Sequence, residues 1–145
     1  MNRPSRSGTV PALLQLLLAA YATASLLHFI HNAEYLPDYP GLPPIWTRLG
    51  VYAVWAGITV VGLSGWWLLR RGWRFTGSSA LLAYALFGLD SLGHYVVAPM
   101  SSHTWAMNAS ILMEVATAAA VFVETACLLI VHAVHIRRGL QRAQP

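Results

Sequence analysis

The sequence predicts an all-α fold, specifically an integral membrane four-helix bundle with both termini cytoplasmic (N-in/C-in). Three observations predict it. Apolar residues make up 57% of the 145-residue chain and charged residues only 10%, against about a quarter charged in an ordinary soluble domain. The apolar residues gather in four stretches, about 10–32, 46–69, 79–98 and 104–136. Each is long enough to cross a hydrocarbon core of ~30 Å, which takes ~20 residues at ~1.5 Å each. Finally, the nine basic residues are all Arg and are shared unequally among the connections. The expectation is one transmembrane domain over residues 1–145.

The first stretch ends at Pro37, Pro40, Gly41, Pro43 and Pro44, which cannot continue a helix and predict a stiff, extended connector. That connector either roofs the outer end, with Glu34 or Asp38 reaching back, or simply joins two spans; the second reading is preferred. The second stretch ends at Arg70, Arg71, Gly72 and Arg74. Pro99 ends the third, with Ser101, Ser102 and Thr104 as candidate N-caps for the fourth. A short basic tail is expected after Arg138. Trp46, Trp66, Trp67, Trp73, Tyr95 and Trp105 fall near span ends, where amphipathic rings prefer to sit.

Orientation follows from the Arg positions. Arg3, Arg6, Arg70, Arg71, Arg74, Arg137, Arg138 and Arg142 share one side, and Arg48 alone lies on the other, beside Glu34 and Asp38. This bias places both ends in the cytoplasm of a multi-pass protein of the inner (plasma) membrane. A net charge of +4 carried in short clusters between apolar runs is not a nucleic-acid stripe, so the expected partner is the bilayer. A membrane or periplasmic protein partner is compatible with an outward-facing site. A cleavable signal is the competing reading of the start, from Arg3, Arg6, the apolar run from Val10 and Ala22-Thr23-Ala24. The run continues to Ile30, longer than a signal needs. The single cysteine, Cys127, excludes an internal disulfide and reads as a small buried residue.

Ionisable groups inside a span are costly, about 2.5–3.5 kcal/mol each on insertion scales, and here their depths agree. His28, His94 and Asn108 fall roughly 6 Å inside the outer boundary, Asp90 and Glu114 roughly 12–15 Å. Tyr21, Ser25, His28 and Asn32 share one helix face; Ser110, Glu114, Thr117 and Val121 share another. Asp90 and His94 stand one turn apart. Turned inward, these stripes make one polar site open to the outside. Imidazoles and carboxylates converging from separate helices are how bundles hold transition metals. The leading expectation is therefore a Cu, Zn or Fe site built from His28, Asp90, His94 and Glu114. His31 and His103 are outer ligands, and Asn108 orients the set from behind. Met100, Met107 or Met113 would tilt the choice toward copper.

Four other readings compete. Glu114 and Glu124, ten residues apart with His132 and His135 beyond, are parts of a proton or small-cation relay. His28 and His94 could be axial haem ligands, with Gly88 and Gly93 admitting the macrocycle. Acids flanked by Tyr21, Tyr52, Trp55 and Phe87 could hold a sterol-like or amine ligand. The plainest reading is a polar network that only fixes helix register. The second span has no ionisable group between Arg48 and Arg70 and should supply a wall, with Ala53-x-x-x-Gly57 and Gly88 as close-packing points. Hydrolase, kinase and dinucleotide motifs are absent from the sequence, and whether the site is catalytic stays open. Elemental analysis of detergent-purified protein, wild type beside His94→Ala, is the first check. The metal reading expects stoichiometric metal that the variant loses, and haem would add a Soret band.

Overall fold

The computed structural model describes residues 10–142, all of whose regular structure is helical. Arg3 and Arg6, and with them the basic start of the signal-like pattern, lie outside the described residues, as do 143–145. Helix α1 (Ala12–Glu34) follows Pro11, and the Gln15 side-chain amide donates to the Val10 carbonyl at 2.9 Å across its first turn. A 3-10 turn at Leu36–Asp38 begins the connector, and α2 (Arg48–Arg70) starts where Thr47 Oγ1 accepts the Gly50 N–H at 3.0 Å.

The end of α2 explains an error in the predicted third span. Gly72 adopts φ +84°, its N–H bonds to Leu69 O, and the Trp73 N–H bonds to Leu68 O, both at 3.0 Å. This is a Schellman closure, which needs a residue without Cβ at the left-handed position. So tight a stop lets the chain turn back at once. α3 (Arg74–Leu89) therefore starts five residues before the predicted 79, and Gly77, Ser78 and Ser79 are helical. After a 3-10 turn at Asp90–Leu92 the same rod resumes as α4 (Gly93–Val97), stopped before Pro99. A further 3-10 turn at Met100–Ser102 leads to α5 (Trp105–Arg142), where Thr104 Oγ1 accepts the Met107 N–H at 3.3 Å. α5 has 38 residues and runs through the segment expected to be a tail after Arg138.

Four helical segments are long and apolar enough to cross a membrane: Ala12–Glu34, Arg48–Arg70, Arg74–Val97 and Trp105–Arg138. They form a ring in which α2 packs on α3, α3 on α5 and α5 on α1, while α1 and α2 touch less. The outward faces carry Leu16, Val60, Leu63, Leu86, Val123 and Ile130, all exposed. Cys127 is exposed among them, against the buried position expected.

Close approach comes from Gly88, as the sequence suggested, and from three glycines it did not single out. A Cβ on Gly62 would stand 2.8 Å from the Tyr84 ring, and one on Gly65 2.9 Å from Leu81. One on Gly77 would reach 2.8 Å from the Leu69 backbone nitrogen, so α2 and α3 meet almost backbone to backbone. Gly57 has open space at the same test, which removes Ala53-x-x-x-Gly57 as a contact, whereas Gly88 is filled by Tyr21 and Ala118. The core divides into one apolar cluster around Leu14, Tyr21, Leu81, Tyr84 and Val121 and a smaller one of Tyr39, Met107 and Ile111.

Gly77→Ala should cost about 1–3 kcal/mol of stability, because backbone cannot yield as a side chain can. Gly57→Ala should be neutral or gain up to about 1 kcal/mol from helix propensity. Thermal unfolding of both variants in detergent checks the pair.

Candidate functional site

The polar cluster starts from Glu114 on α5 and His28 on α1, which are only 1% and 2% exposed. Both lie on the stripes read from the sequence. Tyr21 and Ser25 are buried on the first stripe, and Ser110 and Val121 on the second. Ser110 Oγ donates to the Met107 carbonyl at 2.9 Å, so its oxygen accepts from His28 Nδ1–H at 3.1 Å. That bond fixes the imidazole. The other nitrogen, Nε2, faces Glu114 Oε2 at 3.7 Å, and the same oxygen accepts the Ser91 hydroxyl at 2.6 Å. At 3.7 Å the imidazole and the carboxylate are neighbours and not a hydrogen-bonded pair. Glu114 Oε1 and Ser25 Oγ are buried without a hydrogen-bond partner.

A chain of aromatic rings leads outward from His28. Its ring meets His94 edge-on at 5.4 Å between centroids, and His94 meets His103 edge-on at 6.2 Å. Asn32 Nδ2 lies 3.5 Å from His94 Nε2, and Asn32 Oδ1 is buried without a partner. His103 is held by its own turn, Nδ1 to the Pro99 carbonyl at 3.1 Å, and its Nε2 is a buried atom without a partner. His31 is bonded through Nδ1 to the Tyr39 hydroxyl at 2.9 Å.

The proline-rich connector is a roof. Tyr39 is buried against Met107 and Ile111, and its ring lies 5.1 Å from that of His94. Burial pushes its phenol up to about 12. Glu34 does not reach back over the site. It accepts from Tyr52 at 2.7 Å and pairs with Arg48 at 2.6 Å, tying the top of α1 to the start of α2. Asn108 accepts from Tyr95 and donates to the Met100 and His103 carbonyls. It orients His103 through the backbone and bonds no ring nitrogen.

The remaining predicted ligands are not brought together. Asp90 opens the 3-10 turn but lies off the buried stripe Leu81, Tyr84, Ala85, Gly88, Ser91, so Ser91 faces Glu114 and Asp90 is exposed. It belongs to neither ion pair among the described residues, His28–Glu114 and Arg48–Glu34. Among the described residues no three His, Cys, Asp or Glu side chains converge as a metal-ligand group. Met107 Sδ accepts the Thr104 N–H, and Met100 and Met113 are exposed. For haem, both nitrogens of His28 face protein partners and the space at Gly88 is taken by Tyr21. For the relay, the buried positions of α5 between Glu114 and Glu124 are Ala118 and Val121, which carry no proton.

Beside the cluster, where α1 and α2 diverge, lies a cavity of about 510 Å³. Its polar wall is His28, Asn32, Asp90, Ser91 and His94. Its apolar wall includes Phe29, Val51, Val54, Ile58 and Phe87, with Leu42 and Trp46 from the roof. α2 is thus the wall that its lack of ionisable groups predicted. Sequence reasoning missed Ser91 and Tyr39. A serine next to an aspartate carries little signal, and an aromatic between two prolines, Pro37 and Pro40, says nothing about which way its loop folds. No family model, curated protein or solved structure matches this chain.

Tyr39 supplies a pH test. A phenol whose folded value is raised stabilises fully below its unfolded value near 10, and that contribution is lost as pH rises toward about 12. Melting temperature followed from pH 9 to 12 should fall more steeply for wild type than for Tyr39→Phe. The difference should reach about 2 kcal/mol.

Proposed function

We propose that the protein spans the inner membrane four times with both termini cytoplasmic, and binds a lipophilic amine in the cavity between α1, α2 and α4. The cavity then opens toward the outer leaflet. The Arg bias supports the orientation, since among the described residues only Arg48 lies at the roofed end and it is paired with Glu34. Its volume, about 510 Å³, falls among sites for drug-sized molecules, about 300–1,000 Å³.

The observation that carries the reading is Asp90. It is a carboxylate within an apolar helical segment, outside both ion pairs, on the wall of a cavity with Phe29, Phe87 and Trp46. An acid so placed is expensive without a cation, and aromatic faces add attraction for an ammonium group. Asn32, whose Oδ1 lacks a donor, offers a second acceptor on the same wall. The opposite wall suits an apolar body. The buried His28–Glu114 pair and Ser91 hold α1, the Asp90 turn and α5 in register behind the ligand. Nothing in this reading requires bond chemistry.

The experiment compares a naphthylalkylamine with the naphthylalkanol of equal length, by thermal stabilisation of detergent-purified protein. The amine should stabilise wild type more strongly than the alcohol. Asp90→Asn should weaken the amine about tenfold, the value of a desolvated cation–carboxylate contact, and leave the alcohol unchanged. Equal response to both probes, or an unaltered amine response in Asp90→Asn, overturns the proposal. A metal reading of the same rings retains one support, the partnerless Nε2 of His103 beside His94. Elemental analysis of the same preparation decides it.

A further inference from the structure

The opposite end of the bundle has a second cavity, of about 380 Å³, between the residues that lead into α1, the start of α3 and the stretch of α5 from Leu128 to His135. Its polar lining is Arg74, Ser78, His132 and His135. Leu69 and Leu128 are among the apolar side chains that complete it. The chain has five acids, Glu34, Asp38, Asp90, Glu114 and Glu124, and none of them lines this cavity. Glu124, the nearest along α5, precedes His132 by two turns, roughly 12 Å.

The neighbouring cations are already placed elsewhere. Arg70 lies over the Trp66 ring at 5.0 Å and Arg71 over Trp67 at 4.7 Å, both along α2. Arg74 turns to the cavity instead, and it is in neither ion pair among the described residues. His132 stands beside it, its ring centroid 5.1 Å from that of Phe75. His135 Nδ1–H donates to the Val131 carbonyl at 2.7 Å. A recess that offers a guanidinium, two imidazoles and a hydroxyl, with no carboxylate, is complementary to an oxyanion. Its leucine-lined side is complementary to hydrocarbon.

We propose that this cavity binds the phosphate headgroup of an anionic phospholipid, with the first part of its acyl chains along Leu69 and Leu128. The phosphate accepts from Arg74 and Ser78, and the imidazoles line the remaining wall. This rests on the four-span reading that puts the end of α5 at the cytoplasmic leaflet, and is independent of the amine site. The size of the cavity admits a headgroup and not a whole lipid.

Native mass spectrometry of the full chain, released from detergent micelles, tests it with three probes: dioleoyl phosphatidylglycerol, dioleoyl phosphatidylcholine and inorganic phosphate. Phosphatidylglycerol should be retained in preference to phosphatidylcholine. Arg74→Gln should cut that retention about fivefold, one cation's share at a lipid surface, while Arg71→Gln stays within about twofold of wild type. His132→Leu provides a second variant if Arg74→Gln fails to give a monodisperse helical protein, and should also lower retention. Equal retention in the Arg74 and Arg71 variants would reduce the effect to diffuse surface charge and overturn the site. So would equal retention of the two lipids. Displacement of phosphatidylglycerol by inorganic phosphate would assign the pocket to a soluble anion instead. Release of the chain from cell membranes by carbonate would remove the four-span premise separately, whatever the lipid result.

Discussion

The constraint on which the structure depends is the buried juxtaposition of His28 and Glu114. Two groups with almost no solvent contact face each other at 3.7 Å, His28 held on its far side by Ser110 and Glu114 held by Ser91 at the same oxygen that faces the imidazole. Removing either partner leaves a polar group stranded in a poorly hydrated interior, which is far costlier than the pair is favourable. The pair therefore acts less as a source of stability than as a penalty on every arrangement in which α1 and α5 slide or rotate. Only one register lets the serines, the imidazole and the carboxylate meet, and that register also sets the depth of the aromatic chain through His94 and His103.

Around that fixed centre the bundle is asymmetric. α2 and α3 are drawn together by Gly62, Gly65 and Gly77, which leaves α1 to diverge from α2 and opens the amphipathic cavity on that side. The roof closes over it from above, with Tyr39 seated on His31 and His94 and with the Glu34–Arg48 pair holding the ends of the connector. A close packing seam and an open one on the same helix, α2, are two sides of one geometric fact.

Much of this was legible in the sequence because helices convert spacing into direction. The stripes Tyr21-Ser25-His28-Asn32 and Ser110-Glu114-Thr117-Val121 needed only a regular period to predict that they face inward, and they do. Asp90 is off the inward stripe of its own helix, which runs Leu81, Tyr84, Ala85, Gly88 and Ser91, so it is Ser91 that reaches Glu114. The sequence reading also failed at residues 74–78, where a closed left-handed turn at Gly72 needs far less chain than a polar connector suggests. Tyr39 was hidden because the path of a proline-rich loop is set by what it lands on. The choice among glycines was hidden for a related reason. Gly57 and Gly62 look alike in sequence, and only the position of Tyr84 on a different helix distinguishes them.

The Schellman turn has a consequence for the order of assembly. Its closure joins α2 to α3 across three residues, 71–73, and the contacts it sets up, Gly62 with Tyr84 and Gly65 with Leu81, bridge short stretches of chain. Contacts so local form early and with little loop-closure entropy. His28 must find Ser110 across 82 positions, and Tyr21 must find Tyr84 across 63. The α2–α3 hairpin therefore closes at a lower entropic cost than the contacts between α1 and α5. The acid–imidazole centre is the last part to be made, a lock turned only when the fourth helix arrives.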